Sequence, residues 1–190
     1  MFLINDLIAL LAANLILTQA LGTSTIFIAA GSRKNLVGTA FVITLFTFSG
    51  SVSAYYADKL LPEKYSDLKL LIYVISIGIL YVILLSALYF ISRKNFENSR
   101  KYIHLSVFNC AVMGTLLTVS GRAAENPSLM GLKSYMIAGL EAGTGFIAAA
   151  LILTAAYRKL NSSKVPAAFR GFPAMLIYLG IISMAVYSLI

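Results

Sequence analysis

The sequence predicts an all-α integral membrane protein of six transmembrane segments, arranged as two inverted three-helix repeats. Three observations carry this expectation. Of 190 residues, 59% are hydrophobic and only 12% charged, against roughly 25% charged in a soluble domain. One soluble core of this size cannot hide that apolar surplus. The apolar residues also fall into six stretches near the roughly 20-residue length that crosses a hydrocarbon layer. Finally, the positive residues cluster in the short loops between those stretches.

The segments are read in order. Segment one covers about residues 3–30 and is interrupted by Gly22-Thr23-Ser24-Thr25. It is apolar from Phe2, with Asp6 and no early Lys or Arg, so it is expected to be retained rather than cleaved as a signal peptide. Segment two covers about 36–56, and a polar stretch with Pro62 follows it. Segment three, about 68–91, is the cleanest span. A basic loop is expected over 92–102, and segment four, about 103–120, is short and holds Asn109, Cys110 and Gly114. A loop over 121–131 leads to segment five, about 132–157. A second basic loop precedes segment six at about 172–190, where Pro173 suits a first helical turn. The whole chain, 1–190, reads as a single membrane domain, with repeat one about 1–97 and repeat two about 98–190.

Charge orients the segments. Six crossings put loops one, three and five on one side. These loops carry Arg33, Lys34, Arg93, Lys94, Arg100, Lys101, Arg158, Lys159, Lys164 and Arg170, against the single acid Glu97. The other side carries five positives matched by five acids. The bias places loops one, three and five in the cytoplasm and both termini outside. The formal charge of +8 is thereby explained by topology, and nucleic acid is not an expected partner. Segments one and four are the irregular members of their halves. Unusual segments at matching positions point to an inverted repeat with a site at its interface, while the plainer reading is that small residues allow close packing.

Few residues can carry chemistry. Cys110 is the single cysteine, which excludes an intrachain disulfide, and His104 is the single histidine. A lone membrane cysteine is ordinarily a small buried apolar residue; the functional alternative is a thiolate ligand to an iron–sulfur cluster. Asn109 beside it is costly in lipid without a partner, so this turn is expected to face protein. Glu141 lies inside segment five, where a carboxylate faces a bundle interior or an ion path, or else is protonated or paired near the outer interface, with Arg122 or Lys133 as partner. Gly139 and Gly143 make a Gly-x-x-x-Gly pair suited to close helix packing. Tyr55, Tyr56, Tyr89, Tyr102, Tyr135 and Tyr157 read as an interfacial belt. No phosphate-cradling loop, nucleophile elbow or His-Glu metal motif occurs.

The stretch Asn109-Cys110-Ala111-Val112-Met113-Gly114 resembles the Asn-Cys-Ala-x-x-Gly motif of the small membrane subunits of the Rnf and Nqr complexes. Val165-Pro166-Ala167-Ala168-Phe169-Arg170-Gly171 is similar to their loop before the last helix. Asn14 and Leu21-Gly22-Thr23-Ser24 resemble their Asn…Leu-Gly-x-Cys segment, and Ser32-Arg33-Lys34 their Ser-Lys-Lys turn. The similarity covers essentially the whole chain, and outward termini fit the RnfA/NqrE branch.

The resemblance implies a membrane subunit of an ion-translocating electron-transport complex in the cell inner membrane. It implies a homologous partner of inverted orientation (RnfE/NqrD-like), further redox subunits, and a two-iron two-sulfur cluster shared between the pair, each chain giving two cysteines. Cys110 matches one such ligand. Ser24 stands where the other cysteine is expected, and a serine oxygen is a harder, rarer iron ligand. Three accounts stay open: a cluster with an altered ligand, thiolates supplied by the partner, or a relative without a cluster. The alternatives at the level of function are a cofactor-free inverted-repeat transporter or channel, with a homodimer as one arrangement, and a structural subunit.

Overall fold

The computed structural model describes residues 14–29, 33–61, 63–91, 93 and 96–188. The start of segment one with Asp6, the Gly31-Ser32 turn, Pro62 and Lys94 lie outside the described residues. Eight helices follow one another: α1 (Leu15–Gln19), α2 (Thr23–Ala29), α3 (Arg33–Leu60), α4 (Lys69–Ile91), α5 (Phe96–Val107), α6 (Cys110–Glu125), α7 (Leu132–Leu160) and α8 (Phe172–Tyr187). Short 3₁₀ turns occupy Glu63–Leu68 and Pro127–Leu129, and no strand occurs among the described residues.

Four stretches are long and apolar enough to cross a bilayer: Leu36–Leu60, Lys69–Phe90, Ile103–Glu125 and Leu132–Tyr157. The third of these passes through the break between α5 and α6. Helix α8 is apolar but shorter, 16 residues, or about 24 Å at 1.5 Å per residue. Pro173 occupies its first turn, as the sequence reading expects.

The centre of the molecule is the crossing of α3 and α7, the most extensive helix pair. Its closeness follows from two glycines. A Cβ on Gly139 would lie 2.7 Å from the Thr47 carbonyl oxygen, and one on Gly143 would lie 2.9 Å from Thr44 Cα. Both obstacles are backbone and cannot swing aside. The Gly-x-x-x-Gly pair therefore sets the interhelix distance, since lipid offers no hydrophobic drive and helices gain only by close contact. Ile43, Phe46, Phe146, Ala149 and Leu153 fill the space along this crossing.

Around this pair α4, α5 and α6 pack on α3, and α8 packs on α1 and α7. Helix α4 is peripheral. It buries Tyr73 and Ile77 but leaves Leu70, Leu71, Val74, Ile75, Ile79, Val82 and Ile83 exposed. An apolar face of that extent needs lipid as its solvent.

Three boundaries differ from the sequence reading. Residues 96–102, expected as basic loop, begin α5, because Ile103, Ser106 and Val107 form one buried face while Glu97, Arg100 and Lys101 stay exposed. Residues 121–125, also expected as loop, extend α6, where Ala123 is buried and the Asn126 amide donates to the Arg122 carbonyl. In segment one the break is Ala20–Gly22, and Thr23-Ser24-Thr25 instead open α2.

Candidate functional site

Each irregular segment is re-started by an asparagine cap. Asn14 Oδ1 accepts from the Ile16 amide at 3.0 Å, opening α1. Asn109 Oδ1 accepts from the Ala111 amide at 3.0 Å, opening α6. An asparagine there satisfies an N–H that the helix cannot satisfy itself. Segment one then breaks again after α1, where Ala20 (φ 57°) and Gly22 (φ 83°) take left-handed conformations. The glycine adopts this without penalty; the alanine does so at about 1 kcal/mol.

The two irregular segments touch at these points. The Gly22 amide donates to Cys110 Sγ at 3.0 Å. A Cβ on Gly22 would lie 2.9 Å from Ala111 Cβ and 3.0 Å from Asn109 Oδ1, so only glycine allows the approach. Cys110, at the first turn of α6, is exposed, as is Ser24 in α2. Helix α2 is held by Phe27, whose ring stands edge-on to Tyr157 (5.9 Å) and Phe172 (5.2 Å). The sulfur thus sits at the positive end of a helix dipole, with a backbone donor on it, facing outward.

The two asparagines are not equivalent in their remaining bond. Asn14 Nδ2 donates to the Gly145 carbonyl on α7 at 2.6 Å. Asn109 is 4% exposed, yet its Nδ2 finds no acceptor among the described residues. The spacing from Asn14 to Asn109 equals that from Gly145 to its counterpart in the first half, Gly50. Gly50 is covered by Leu116, whose Cδ1 would meet a Cβ there at 3.1 Å.

Other residues singled out in the sequence lie elsewhere. Glu141 is exposed on α7 and lines a groove of about 250 Å³ with Arg122, Val119 and Ile137. Arg170 donates from Nη2 to the Ser163 and Val165 carbonyls, at 3.4 and 3.1 Å, and so clamps the loop before α8. His104 stands between Arg100 Nε (2.9 Å, on Nε2) and Tyr81 OH (2.7 Å, on Nδ1). An arginine can only donate, so Nε2 accepts and Nδ1 carries the proton.

Sequence reasoning missed Asp58. Its side chain is 8% exposed. Oδ1 accepts from Tyr73 OH at 2.6 Å and pairs with Lys69 Nζ at 3.3 Å; Oδ2 accepts from Tyr135 OH at 2.8 Å. The carboxylate therefore joins α3, α4 and α7. Tyr135, expected in the interfacial belt, is 1% exposed and belongs to this cluster. Tyr56 and Tyr89 do face outward.

The donor set can be tested against a two-iron two-sulfur cluster, which takes four thiolate ligands. This chain offers one thiol, Cys110, and one hydroxyl at the matching position, Ser24. No three His, Cys, Asp or Glu side chains converge among the described residues. The residues fit half of a shared site and do not fit a cluster held by this chain alone.

The Rnf-Nqr subunit family of membrane proteins matches residues 5–190. The chain belongs to this family. The Rnf-Nqr subunit is also similar to the A-subunit of the ion-translocating oxidoreductase complex of Glaesserella parasuis serovar 5 (strain SH0165). The two are 24% identical over 174 residues, which are 90% of this chain and 87% of the relative. The match spans both irregular segments of the Rnf-Nqr subunit and the loop that Arg170 clamps.

Proposed function

We propose that this Rnf-Nqr subunit works in the inner membrane as part of an ion-translocating electron-transport complex, beside a homologous subunit of inverted orientation. The observation that carries the reading is the meeting of the two irregular segments at an exposed Cys110 Sγ held by the Gly22 amide. The family membership and the name of the Glaesserella relative support the class of complex. Paired asparagine caps and the matching Asn–Gly spacing support six crossings built as two inverted three-helix repeats. The ten-to-five division of positive charge supports cytoplasmic loops one, three and five.

In this reading Cys110 is one ligand of an iron–sulfur site completed by the partner, and Ser24 is a weaker second ligand. When bound, such a cluster supplies one-electron transfer. The chain's own groups hold the site. The α6 cap fixes the Cys110 backbone, and the Gly22 N–H stabilises electron density on sulfur, one of the features that tune such centres. Asn109 Nδ2 leaves one further donor beside it.

A second reading rests on the single thiol: a structural subunit or a cofactor-free transporter, with Cys110 idle. One experiment separates the two. The complex is purified anaerobically with its partners, and iron content and electron-spin resonance are compared for wild type, Cys110→Ala and Ser24→Cys. A reducible iron–sulfur signal lost in Cys110→Ala and altered in Ser24→Cys places the chain in the electron path. Wild-type complex without iron at this site assigns the chain to scaffolding or transport.

A further inference from the structure

The groove between α6 and α7 is not absorbed by the proposed function. Arg122, in the last turn of α6, and Glu141, on α7, line it together. They form no ion pair within the chain, because the described residues hold only the Lys69–Asp58 pair. Glu141 lies nine residues after Leu132, about 13 Å along the helix. That depth is inside the hydrocarbon layer. Glu141 is nonetheless exposed, and so are the apolar neighbours Ile137 and Leu140. Opposite charges facing lipid, close to each other yet unpaired, demand cover by a surface carrying both signs.

We propose that this face binds a second copy of the same chain, with Arg122 of each copy paired to Glu141 of the other. A two-fold interface is self-complementary: one patch meets itself, and each contact occurs twice. The groove carries one charge of each sign on adjacent walls, which is what such a patch requires. A two-fold axis along the membrane normal keeps both residues at their own depth, so the reciprocal pairs form without displacing either helix. The exposed Ile137 and Leu140 supply the apolar contact around them. This interface lies apart from Cys110 and stands whether or not the chain binds iron, since neither Arg122 nor Glu141 touches that site.

The test uses full-length chains with two different tags, co-expressed in the same membranes and solubilised in mild detergent. Wild-type copies are expected to co-purify. Arg122→Glu paired with itself, and Glu141→Arg paired with itself, place like charges together, and co-purification falls about tenfold. Arg122→Glu mixed with Glu141→Arg rebuilds both pairs with reversed sign and restores it. That restoration also shows that each variant folds. Ile137→Cys in a Cys110→Ser background adds a second readout, an oxidative cross-link between copies. Wild-type copies that fail to co-purify overturn the proposal, as does a mixed pair no better than either variant alone. A cross-link from position 137 to a different polypeptide or to lipid also overturns it.

Discussion

Asp58 is the residue on which three helices converge. Its two oxygens serve two tyrosine hydroxyls and one ammonium, so every acceptor position has a use. Removing the carboxylate strands those donors and leaves Lys69 without its counter-charge. Asp58→Ala is therefore expected to cost about 3 kcal/mol, read as a fall in thermal or denaturant midpoint in detergent. Tyr135→Phe deletes one donor and keeps the ring packing, and is expected to cost only about 1 kcal/mol. Equal losses from both would mean that Asp58 is not shared as described. Cys110 and Asn109 were legible as a motif because their neighbours lie adjacent in sequence. Asp58 was not, because its partners Tyr73 and Tyr135 sit on other segments and nothing local distinguishes it from an interfacial acid.

Among elements, the α3–α7 crossing and the α6 start make the sharpest claims. At Gly143 a methyl group already meets Thr44 Cα at 2.9 Å, so a branched chain must push the helices apart. Gly143→Val is expected to destabilise by about 2 kcal/mol or more, whereas Gly78→Ala on α4, where a Cβ meets nothing within 4 Å, is expected to be neutral. Size-exclusion profiles and melting of the two variants side by side decide this. Asn109→Ala removes the α6 cap and is expected to cost about 1 kcal/mol; Asn109→Asp, which keeps the accepting oxygen, should retain most of it. The close glycine pair was readable from its four-residue spacing. Helix α5 was not, because its many charged residues suggested a loop. Only the burial of Ile103, Ser106 and Val107 along one face reveals it as a helix lying against α3.

For the whole molecule, the claim to test is orientation. Single cysteines introduced in a Cys110→Ser background at Glu97 and Lys164 are expected to react with a membrane-impermeant thiol reagent from the cytoplasmic side. Those at Tyr65 and Ser128 should react from the opposite side. Positions 97 and 164 reacting from opposite sides would break the six-crossing plan. The exposed α4 face predicts a second behaviour: the chain requires lipid or detergent throughout, because that face has no cover within the chain.

The sequence by itself determined the solvent, the approximate spans, the loop bias and the Cys110 motif. Each of these depends on composition or on neighbours along the chain, and transfer into lipid acts on such local runs. Tertiary structure alone decided that Gly22 meets Cys110, that Asp58 gathers Tyr73, Lys69 and Tyr135, and that Arg122 and Glu141 share a groove unpaired. These contacts join segments far apart in sequence. Their geometry follows from how closely α3 and α7 cross, and that distance is set by backbone atoms meeting at Gly139 and Gly143.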